Sequence, residues 1–290
     1  MIEGIVIKAY SGYYYVQSDS EQWVCRLRGK FRLTKETVLV GDQVKVKPAE
    51  KNTGTVYEVL SRRNKLLRPP VANVDQAVIT FAVSNPEPNL DLLDRFLVMA
   101  EGAGIMPVIC LNKVDLLDID EPEWMEVYRQ VGYTVIATSA KGKKGIAEIK
   151  DVLKDKISVF AGPSGVGKSS LLNSIHPGLE LKTGDISRKL KRGKHTTRHV
   201  ELIPLESGGL VADTPGFSSL QLPEIASTDL AYYFPEMEEF VGSCRFNSCS
   251  HNKEPHCAVK EAVQSGEIDY RRYNSYLQFL KEIIDKERRH

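Results

Sequence analysis

From Val159 to Ser170 the chain reads Val-Phe-Ala-Gly-Pro-Ser-Gly-Val-Gly-Lys-Ser-Ser, which contains the pattern G-x-x-x-x-G-K-[ST]. An apolar run, Ile157–Ala161, leads into this pattern, and a helix-like segment, Ser169–Ile175, follows it. A strand, a glycine loop and a helix in this order form the context that a phosphate-binding loop requires. The alternative is a glycine-rich turn that matches by accident, and the flanking segments argue against it. We therefore predict a nucleotide site here.

The glycines of this loop let backbone N–H groups turn inward and surround phosphate oxygens without interference from a β-carbon. Lys168 can reach the β- and γ-phosphates and act in their chemistry, and the Ser169 hydroxyl can be a ligand of Mg²⁺. The predicted phosphate-loop residues are Gly162, Pro163, Ser164, Gly165, Val166, Gly167, Lys168, Ser169 and Ser170.

A second motif, Asn112-Lys113-Val114-Asp115, follows a strand-like apolar run, at the end of the strand where open α/β sheets bind ligands. The Asp115 carboxylate can accept hydrogen bonds from the ring N–H and the exocyclic amine of guanine, a pair that adenine does not offer. Asn112 can face the acceptors of the base, and the Lys113 stem can cover the purine. Asp115 could also simply cap the next turn, so the motif gains its weight from the phosphate loop.

The next strand ends in Thr138-Ser139-Ala140-Lys141. We predict that Ser139 and Ala140 join the base site, with the backbone N–H of Ala140 directed at the guanine carbonyl.

A third motif, Asp213-Thr214-Pro215-Gly216, follows the strand-like segment Gly209–Ala212. Asp213 can hold Mg²⁺ through water, and the Gly216 N–H can contact a γ-phosphate. A basic stretch before it contains the candidate switch threonine, which would close on Mg²⁺ and the γ-phosphate. We place Thr197 in that role, with Thr196 as the alternative; a threonine in a basic loop is by itself unremarkable.

These are the guanine-nucleotide motifs of Ras-like GTPases in a different order. The base motifs here precede the phosphate loop, whereas Ras-like chains begin with it. A circular permutation preserves such a site because spatial neighbours, not chain order, form it. It also connects the Asp213–Gly216 motif directly to the C-terminal region.

Phe217 stands where Ras-like proteins carry the glutamine that orients the attacking water. A phenyl ring cannot orient water, so we expect slow intrinsic hydrolysis. His195 is the candidate that positions the water instead; the alternatives are a group from a partner and a plain surface histidine.

Residues 1–68 carry 13 Lys and Arg against 7 Asp and Glu, although the whole chain has a net charge of only +1. About five short strands with turn signals predict a small barrel of the oligonucleotide-binding (OB) type. Its basic and aromatic residues suit RNA, although the tyrosines could equally pack the barrel. The residues concerned are Arg26, Arg28, Lys30, Arg32, Lys35, Phe31 and Tyr13–Tyr15.

Arg68-Pro69-Pro70 is predicted to be a stiff linker. Strands and helices alternate beyond it, which predicts a doubly wound α/β domain over residues 69–222. Residues 176–198 are expected to be mobile. Residues 223–290 are expected to be mainly helical, with an amphipathic helix over Ile268–Ile284. The predicted domains are therefore an OB-like barrel (1–68), a permuted P-loop GTPase domain (69–222) and a helical zinc-binding domain (223–290).

The cysteines of the C-terminal region are spaced as Cys244-x₄-Cys249-x-His251-x₅-Cys257. Three thiolates and an imidazole form a tetrahedral zinc set that leaves no open position, so we predict a structural metal. His256 is an alternative to His251, and free buried cysteines are the alternative to a metal site.

No apolar run approaches the length of about 18 residues that a membrane span needs, and the N-terminus has no signal-peptide pattern. We expect a cytoplasmic, monomeric protein that binds neither membranes nor DNA.

The permuted motifs, the barrel, Asp213–Phe217 and the cysteine–histidine set together resemble the bacterial RsgA family, also called YjeQ or YloQ, over essentially the whole chain. The resemblance implies a GTPase that uses GTP, Mg²⁺ and one zinc ion. It also implies binding to the small (30S) ribosomal subunit and its rRNA late in maturation, with hydrolysis stimulated by the subunit. His195 matches the histidine of the family's switch segment that is proposed to act in hydrolysis. The alternative is a GTP-gated RNA-binding scaffold in which hydrolysis is incidental.

Overall fold

The computed structural model describes residues 1–19, 21–29, 31, 37–67, 69–117, 121–179, 200–213, 217 and 220–288. Three regions follow one another along the chain: a β-barrel, an α/β sheet and a group of helices. Of the three hydrophobic clusters among the described residues, one spans all three regions, from Ile7 in the barrel to Ile283 near the C-terminus.

The N-terminal barrel closes from five strands in the order β1-β2-β3-β5-β4, as the sequence predicted. Its interior is filled by alternate residues of each strand, mostly valines such as Val6, Val16, Val44 and Val56, which are fully buried. The strands are β1 (Ile2–Tyr10), β2 (Tyr13–Ser18), β3 (Glu21–Leu27), β4 (Gln43–Pro48) and β5 (Thr53–Val59).

The prediction of a stiff linker at Arg68-Pro69-Pro70 is wrong, because Pro70 lies in a β-strand. β6 (Lys65–Leu67) and β7 (Pro70–Ala72) pair as an antiparallel ribbon, so that the two prolines stand at its turn. Ala72 also donates its N–H to the Val40 carbonyl at 2.9 Å. This segment is therefore hydrogen-bonded to the barrel.

The central sheet has six strands in the order β10-β9-β8-β11-β13-β12, and only β12 is antiparallel to its neighbour. Every residue of β8 and β11 is buried, as expected for strands covered on both faces. The strands are β8 (Gln76–Ala82), β9 (Met106–Asn112), β10 (Thr134–Ala137), β11 (Ile157–Ala161), β12 (Leu202–Pro204) and β13 (Leu210–Ala212).

The helices that cover this sheet alternate with its strands, as the sequence pattern predicted. The first begins where the Asn89 side chain accepts the N–H of Leu92, an ordinary N-terminal cap. The helices are α1 (Leu90–Gly102), α2 (Trp124–Gln130), α3 (Ile146–Leu153) and α4 (Lys168–Ile175), with short 3₁₀ turns at Val114–Leu116 and Pro177–Leu179.

The C-terminal region is helical, as predicted. It consists of a 3₁₀ turn (Leu230–Tyr233), α5 (Pro235–Glu238), α6 (Ala258–Ser265) and the long α7 (Tyr270–Glu287). Asp269 caps α7 by accepting the N–H of Arg272 at 3.0 Å. Within the residues described above, no helix combines the length and the apolar character that crossing a membrane demands.

A buried ionic cluster fastens α7 to α1. Asp94, fully buried, accepts hydrogen bonds from Arg272 at 2.7 Å, Arg271 at 2.9 Å, Ser275 at 2.6 Å and Tyr128 at 2.6 Å. Burial by itself raises the pKa of the Asp94 carboxyl, but the two arginines and these hydrogen bonds bring the pKa below its usual value. The carboxylate is therefore charged, and it holds two elements of distant sequence together.

We expect Asp94→Ala to lower the free energy of unfolding by about 3 to 5 kcal/mol, because the buried Arg272 then keeps only Glu236 as a counter-charge and the other donors to Asp94 lose their acceptor. The measurement is a urea titration followed by circular dichroism. Arg129→Ala is the control, since Arg129 pairs with the half-exposed Glu121 and should cost less than about 1 kcal/mol. Equal losses for the two variants would contradict the role given to the cluster.

Candidate functional site

The predicted base and phosphate motifs meet at one edge of the sheet. β8, β9, β10 and β11 are parallel, and their registers place Asn112 beside Ala82 and Ala161 beside Ile79. The loops that leave these strands at their C-terminal ends therefore lie next to one another. This is the edge at which open α/β sheets bind ligands.

The phosphate loop follows β11 and leads directly into α4. A β-carbon at Gly162 would lie 2.0 Å from the Thr80 carbonyl oxygen, and one at Gly167 would lie 2.4 Å from Asn112 Nδ2. Both glycines also have positive φ, so neither position accepts another residue without strain. No side chain caps the start of α4, and its first N–H groups are thus directed toward the loop.

Lys168 lies at the start of α4 and is nearly buried. Its Nζ donates to the carbonyl oxygens of Gly162 at 2.8 Å and Pro163 at 2.6 Å. Burial lowers the pKa of the Lys168 ammonium to about 8. An anion at this loop would offset the burial and restore the charge.

Asn112 connects the base motifs to the phosphate loop. Its Nδ2 donates to the Val166 carbonyl at 2.9 Å, and its Oδ1 accepts from the Thr138 hydroxyl at 3.2 Å and from the Ala140 N–H at 3.3 Å. The side chain is buried, so these bonds are shielded from water. One amide thereby sets the distance between three loops.

Asp115 is oriented by the neighbouring strand end. Ser139 donates its hydroxyl to the Asp115 carboxylate at 2.5 Å and accepts the Gly142 N–H at 2.7 Å. The carboxylate is held in one direction and retains free acceptor positions for donors such as the ring N–H and amine of guanine.

The loop after β8 joins this site, which the sequence motifs did not indicate. Lys113 donates its Nζ to the Asn85 carbonyl, and Pro86 lies next to Gly165 of the phosphate loop. A turn signal, Ser84-Asn85-Pro86, at the C-terminal end of a buried strand was the feature that could have shown it.

Asp213 lies at the end of β13 and connects the sheet to the barrel. Asp213 and Glu201 exchange hydrogen bonds, and Glu201 forms an ion pair of 2.8 Å with Lys8 of β1. The hydrogen bond to Glu201 raises the pKa of the Lys8 ammonium. The barrel is thus connected through Glu201 to the residue that begins the third motif.

Phe217 is buried against α1. Its ring lies 6.4 Å from that of Phe96, centroid to centroid. A side chain packed in the hydrophobic core cannot orient a water molecule, in line with the expectation from the sequence.

His195, Thr196, Thr197 and Gly216 lie outside the described residues, as does most of the stretch 176–198. Their roles, and those of the other predicted site residues, remain predictions.

The four predicted metal ligands lie together in the C-terminal region. One ligand atom from each of Cys244, Cys249, His251 and Cys257 lies within 4.8 Å of all the others. Cys244 Sγ is 3.8 Å from Cys257 Sγ, and His251 Nδ1 is 3.5 Å and 3.4 Å from these two atoms. Thiolates on a tetrahedral zinc ion lie about 3.8 Å apart, so the donor set fits zinc.

The surrounding groups hold this set in place. Tyr273 donates to the His251 carbonyl at 2.6 Å, and Glu254 accepts from Ser250 and from Asn252. Burial raises the pKa of the Cys257 thiol to about 12 and lowers the pKa of His251. The imidazole is therefore neutral, as a ligand must be, and a cation is needed to replace the thiol proton. His256 is not part of the cluster.

The barrel surface carries two stacked arginine–tyrosine pairs. The Arg26 guanidinium lies 4.8 Å from the Tyr13 ring centroid, and that of Arg28 lies 4.4 Å from the Tyr57 centroid. Phe31 is buried in the barrel core, so its prediction as a stacking group is wrong. Tyr14 and Tyr15 are half-buried and pack against the cores. Lys30, Arg32 and Lys35 lie outside the part of the chain that the structure describes.

The fold and the site define a GTPase with a circularly permuted sheet, since the base motifs on β9 and β10 precede the phosphate loop after β11. Residues 59–223 match the family model described as RsgA GTPase, and residues 3–56 match that of the RsgA N-terminal domain. The chain belongs to the RsgA GTPase family.

Named relatives and solved structures agree with this assignment. A protein of Caldanaerobacter subterraneus named small ribosomal subunit biogenesis GTPase RsgA is 52% identical over 99% of this chain and 98% of its own. A protein of the same name from Moorella thermoacetica is 51% identical over 99% of both chains. The crystal structure of YloQ, described as a circularly permuted GTPase, superposes with a TM-score of 0.85 at 46% identity, covering 99% of this chain and 96% of that one. YjeQ from Thermotoga maritima gives a TM-score of 0.85 at 41% identity over 98% of both.

We expect the affinity for GDP to fall as the pH rises above 8. In the free protein the pKa of Lys168 is lowered to about 8, and bound phosphates raise it, so binding takes up a proton. Affinity is then greatest below pH 8, and above it the dissociation constant rises by up to about tenfold per pH unit until the pKa of the bound state is reached. The measurement is fluorescent-GDP titration between pH 7 and 9.5.

Lys168→Arg is the matched control, because its guanidinium stays charged over this range. Guanine also loses a proton at alkaline pH, and this variant measures that shared contribution. Parallel curves for the two proteins would contradict the role of the Lys168 pKa.

Cys249→Ser is expected to lose zinc and to unfold the C-terminal region at a lower temperature, while GDP binding persists because the nucleotide loops lie on the sheet. His256→Ala is the control and should keep one zinc per chain. The measurements are zinc content by atomic absorption and the midpoint of thermal denaturation. A full zinc complement in Cys249→Ser would exclude this ligand set.

Proposed function

We propose that this protein is a GTPase that acts late in the maturation of the small ribosomal subunit and hydrolyses GTP when that subunit binds. The GTPase assignment follows from family membership. The partner is inferred from relatives whose name is small ribosomal subunit biogenesis GTPase RsgA and which match over nearly the whole chain.

The observation that carries the nucleotide part is the position of Asn112. Its hydrogen bonds to Val166, Thr138 and Ala140 hold the base motifs at a fixed distance from the phosphate loop. A purine nucleotide bound across these loops would have its base at the Asp115 end and its phosphates at the Gly162–Ser170 loop. Asp115, oriented by Ser139, then selects guanine, because only guanine presents two adjacent donors to a carboxylate.

Hydrolysis requires that water attack the γ-phosphorus and that the bond to the β-γ bridging oxygen break. We assign Lys168 and the N–H groups at the start of α4 to the phosphate oxygens, where they oppose the negative charge that shifts to the leaving GDP. Ser169 and Thr197 would hold the Mg²⁺ that neutralises the β- and γ-phosphate oxygens. Asp213 and Gly216 complete the γ-phosphate side.

The attacking water needs a group other than Phe217, whose ring is packed against Phe96. We assign this task to His195, which lies in the basic segment before Asp213. Hydrolysis is then slow until the small subunit binds and positions this segment. A histidine in this role contributes about 10² to 10⁴ in rate.

The barrel is proposed to contact ribosomal RNA. Arg26 and Arg28 are exposed, and each lies over a tyrosine ring, an arrangement that presents both charge for phosphates and flat surfaces for unpaired bases.

We place the three functional regions at residues 1–68, 69–222 and 223–290, with one structural zinc ion in the last and a monomer as the active form.

The test is steady-state GTP hydrolysis by the purified protein alone, with small subunits and with large subunits. We expect strong stimulation by small subunits only. Equal rates in all three mixtures would remove the ribosome from the function and leave the nucleotide site.

His195→Ala separates this function from the alternative, a GTP-gated RNA-binding scaffold. We expect the variant to lose stimulated turnover by about a hundredfold or more while it still binds GTP. His176→Ala, a second histidine near the end of α4, is the control. Unchanged turnover in His195→Ala would exclude His195 as the catalyst.

A further inference from the structure

Three consecutive residues of α1 contact two other parts of the protein, helix α7 and the segment that contains Phe217 and Leu220. Asp94 binds Arg271 and Arg272 of α7 in the buried cluster, and Phe96 packs on Phe217, which follows the Asp213–Gly216 motif. Successive side chains of an α-helix point about 100° apart. Around the axis of α1, the Arg95 side chain therefore lies between those of Asp94 and Phe96.

Arg95 makes contact with both neighbours at once. Its guanidinium forms a forked pair with the Glu282 carboxylate of α7, at 3.1 Å and 2.5 Å, and stacks on the Phe279 ring at 4.8 Å from the centroid. The same Nη1 donates to the Leu220 carbonyl at 3.2 Å. Only the planar guanidinium offers donors in this fixed fork.

Leu220 and Phe217 belong to the segment that connects the Asp213 motif to the C-terminal region. Phe217 is held on Phe96, and Leu220 is held by its carbonyl on Arg95. The other side of Arg95 is fixed to α7, whose start carries Tyr273, bonded to the His251 carbonyl in the metal cluster. A continuous set of contacts thus joins the metal cluster, α7, Arg95 and the described residues Leu220 and Phe217.

We propose that Arg95 is a positioning residue for GTP hydrolysis, which couples α7 to the segment that follows Asp213. A partner that binds the C-terminal region then changes the position of this segment through Glu282 and Arg95, and the nucleotide state acts on α7 by the same contacts in reverse. This inference deepens the proposed function and rests on it for the identity of the partner.

The first experiment compares small-subunit-stimulated hydrolysis by the full-length wild type, Arg95→Ala and Arg95→Lys. We expect Arg95→Ala to lower the stimulated kcat by about 5- to 20-fold, with KM for GTP, GDP affinity and zinc content unchanged. Arg95→Lys should fall between the two, since lysine keeps the charge but cannot bond Glu282 in a fork and Leu220 together. Full activity in Arg95→Ala would overturn the proposal, and full activity in Arg95→Lys would overturn the role of the fork.

Two further variants separate coupling from loss of stability. Glu282→Gln should lower the stimulated kcat in the same way, and combining it with Arg95→Ala should add little, because both remove one interaction. Arg129→Ala removes another half-exposed arginine–glutamate pair, away from this segment, and should leave the stimulated kcat unchanged. Additive losses would overturn the proposal.

Hydrogen exchange tests the coupling without ribosomes. In the wild type, exchange of the amides of residues 270–287 should differ between the GDP form and the form with a non-hydrolysable GTP analogue, and Arg95→Ala should abolish this difference. No difference in the wild type, or the same difference in the variant, would overturn the coupling. Absence of stimulation by small subunits in the wild type would instead contradict the proposed function. The hydrogen-exchange result alone would then decide whether Arg95 couples α7 to the nucleotide site.

Discussion

The parallel arrangement of β8, β9, β10 and β11 is the constraint on which the rest of the protein depends. It brings the C-terminal ends of these strands to one edge, so that loops distant in sequence become neighbours. Asn112 then sets their spacing by bonding the phosphate loop with one end of its amide and the base loops with the other. Chain order has no part in these contacts, which is why a permuted chain keeps the site.

The permutation has a consequence for the two outer regions. Asp213 follows strand β13 on the way to the C-terminal helices, and Glu201, which is hydrogen-bonded to Asp213, pairs with Lys8 of the barrel. The barrel and the C-terminal region therefore both contact the surroundings of one motif. Helix α1 binds α7 of the C-terminal region by two ion pairs. The pair of Asp94 with Arg272 is buried and strong, and the pair of Arg95 with Glu282 is half-exposed and weaker. A buried attachment beside a half-exposed one is compatible with the coupling between α7 and the nucleotide site that we propose.

The elements of this fold could largely be predicted from the sequence, because each has a local signal. Mostly apolar runs marked β8 and β11, and the spacing of apolar residues marked α1 and α7. Two predictions failed for a common reason. Pro69 and Pro70 have the local character of a linker and Phe31 that of a stacking group, but contacts with distant residues place the prolines at the turn of a paired ribbon and the phenyl ring in the barrel core.

For this protein, the sequence by itself determined which residues are candidates for the chemistry: the glycine loop with Lys168, the Asn112–Asp115 motif, the Asp213 motif and the cysteine–histidine set. Such motifs are short because one loop supplies each part of the site, so their spacing is visible in the chain. Only the tertiary structure decided how the parts are connected: Asn112 on the Val166 carbonyl, Asn85 on Lys113, and Arg95 between Leu220 and Glu282. These bonds join residues far apart in sequence, and several end on backbone carbonyls, which every residue has. A backbone carbonyl accepts a hydrogen bond whatever its side chain, so the sequence carries no signal for such a partner.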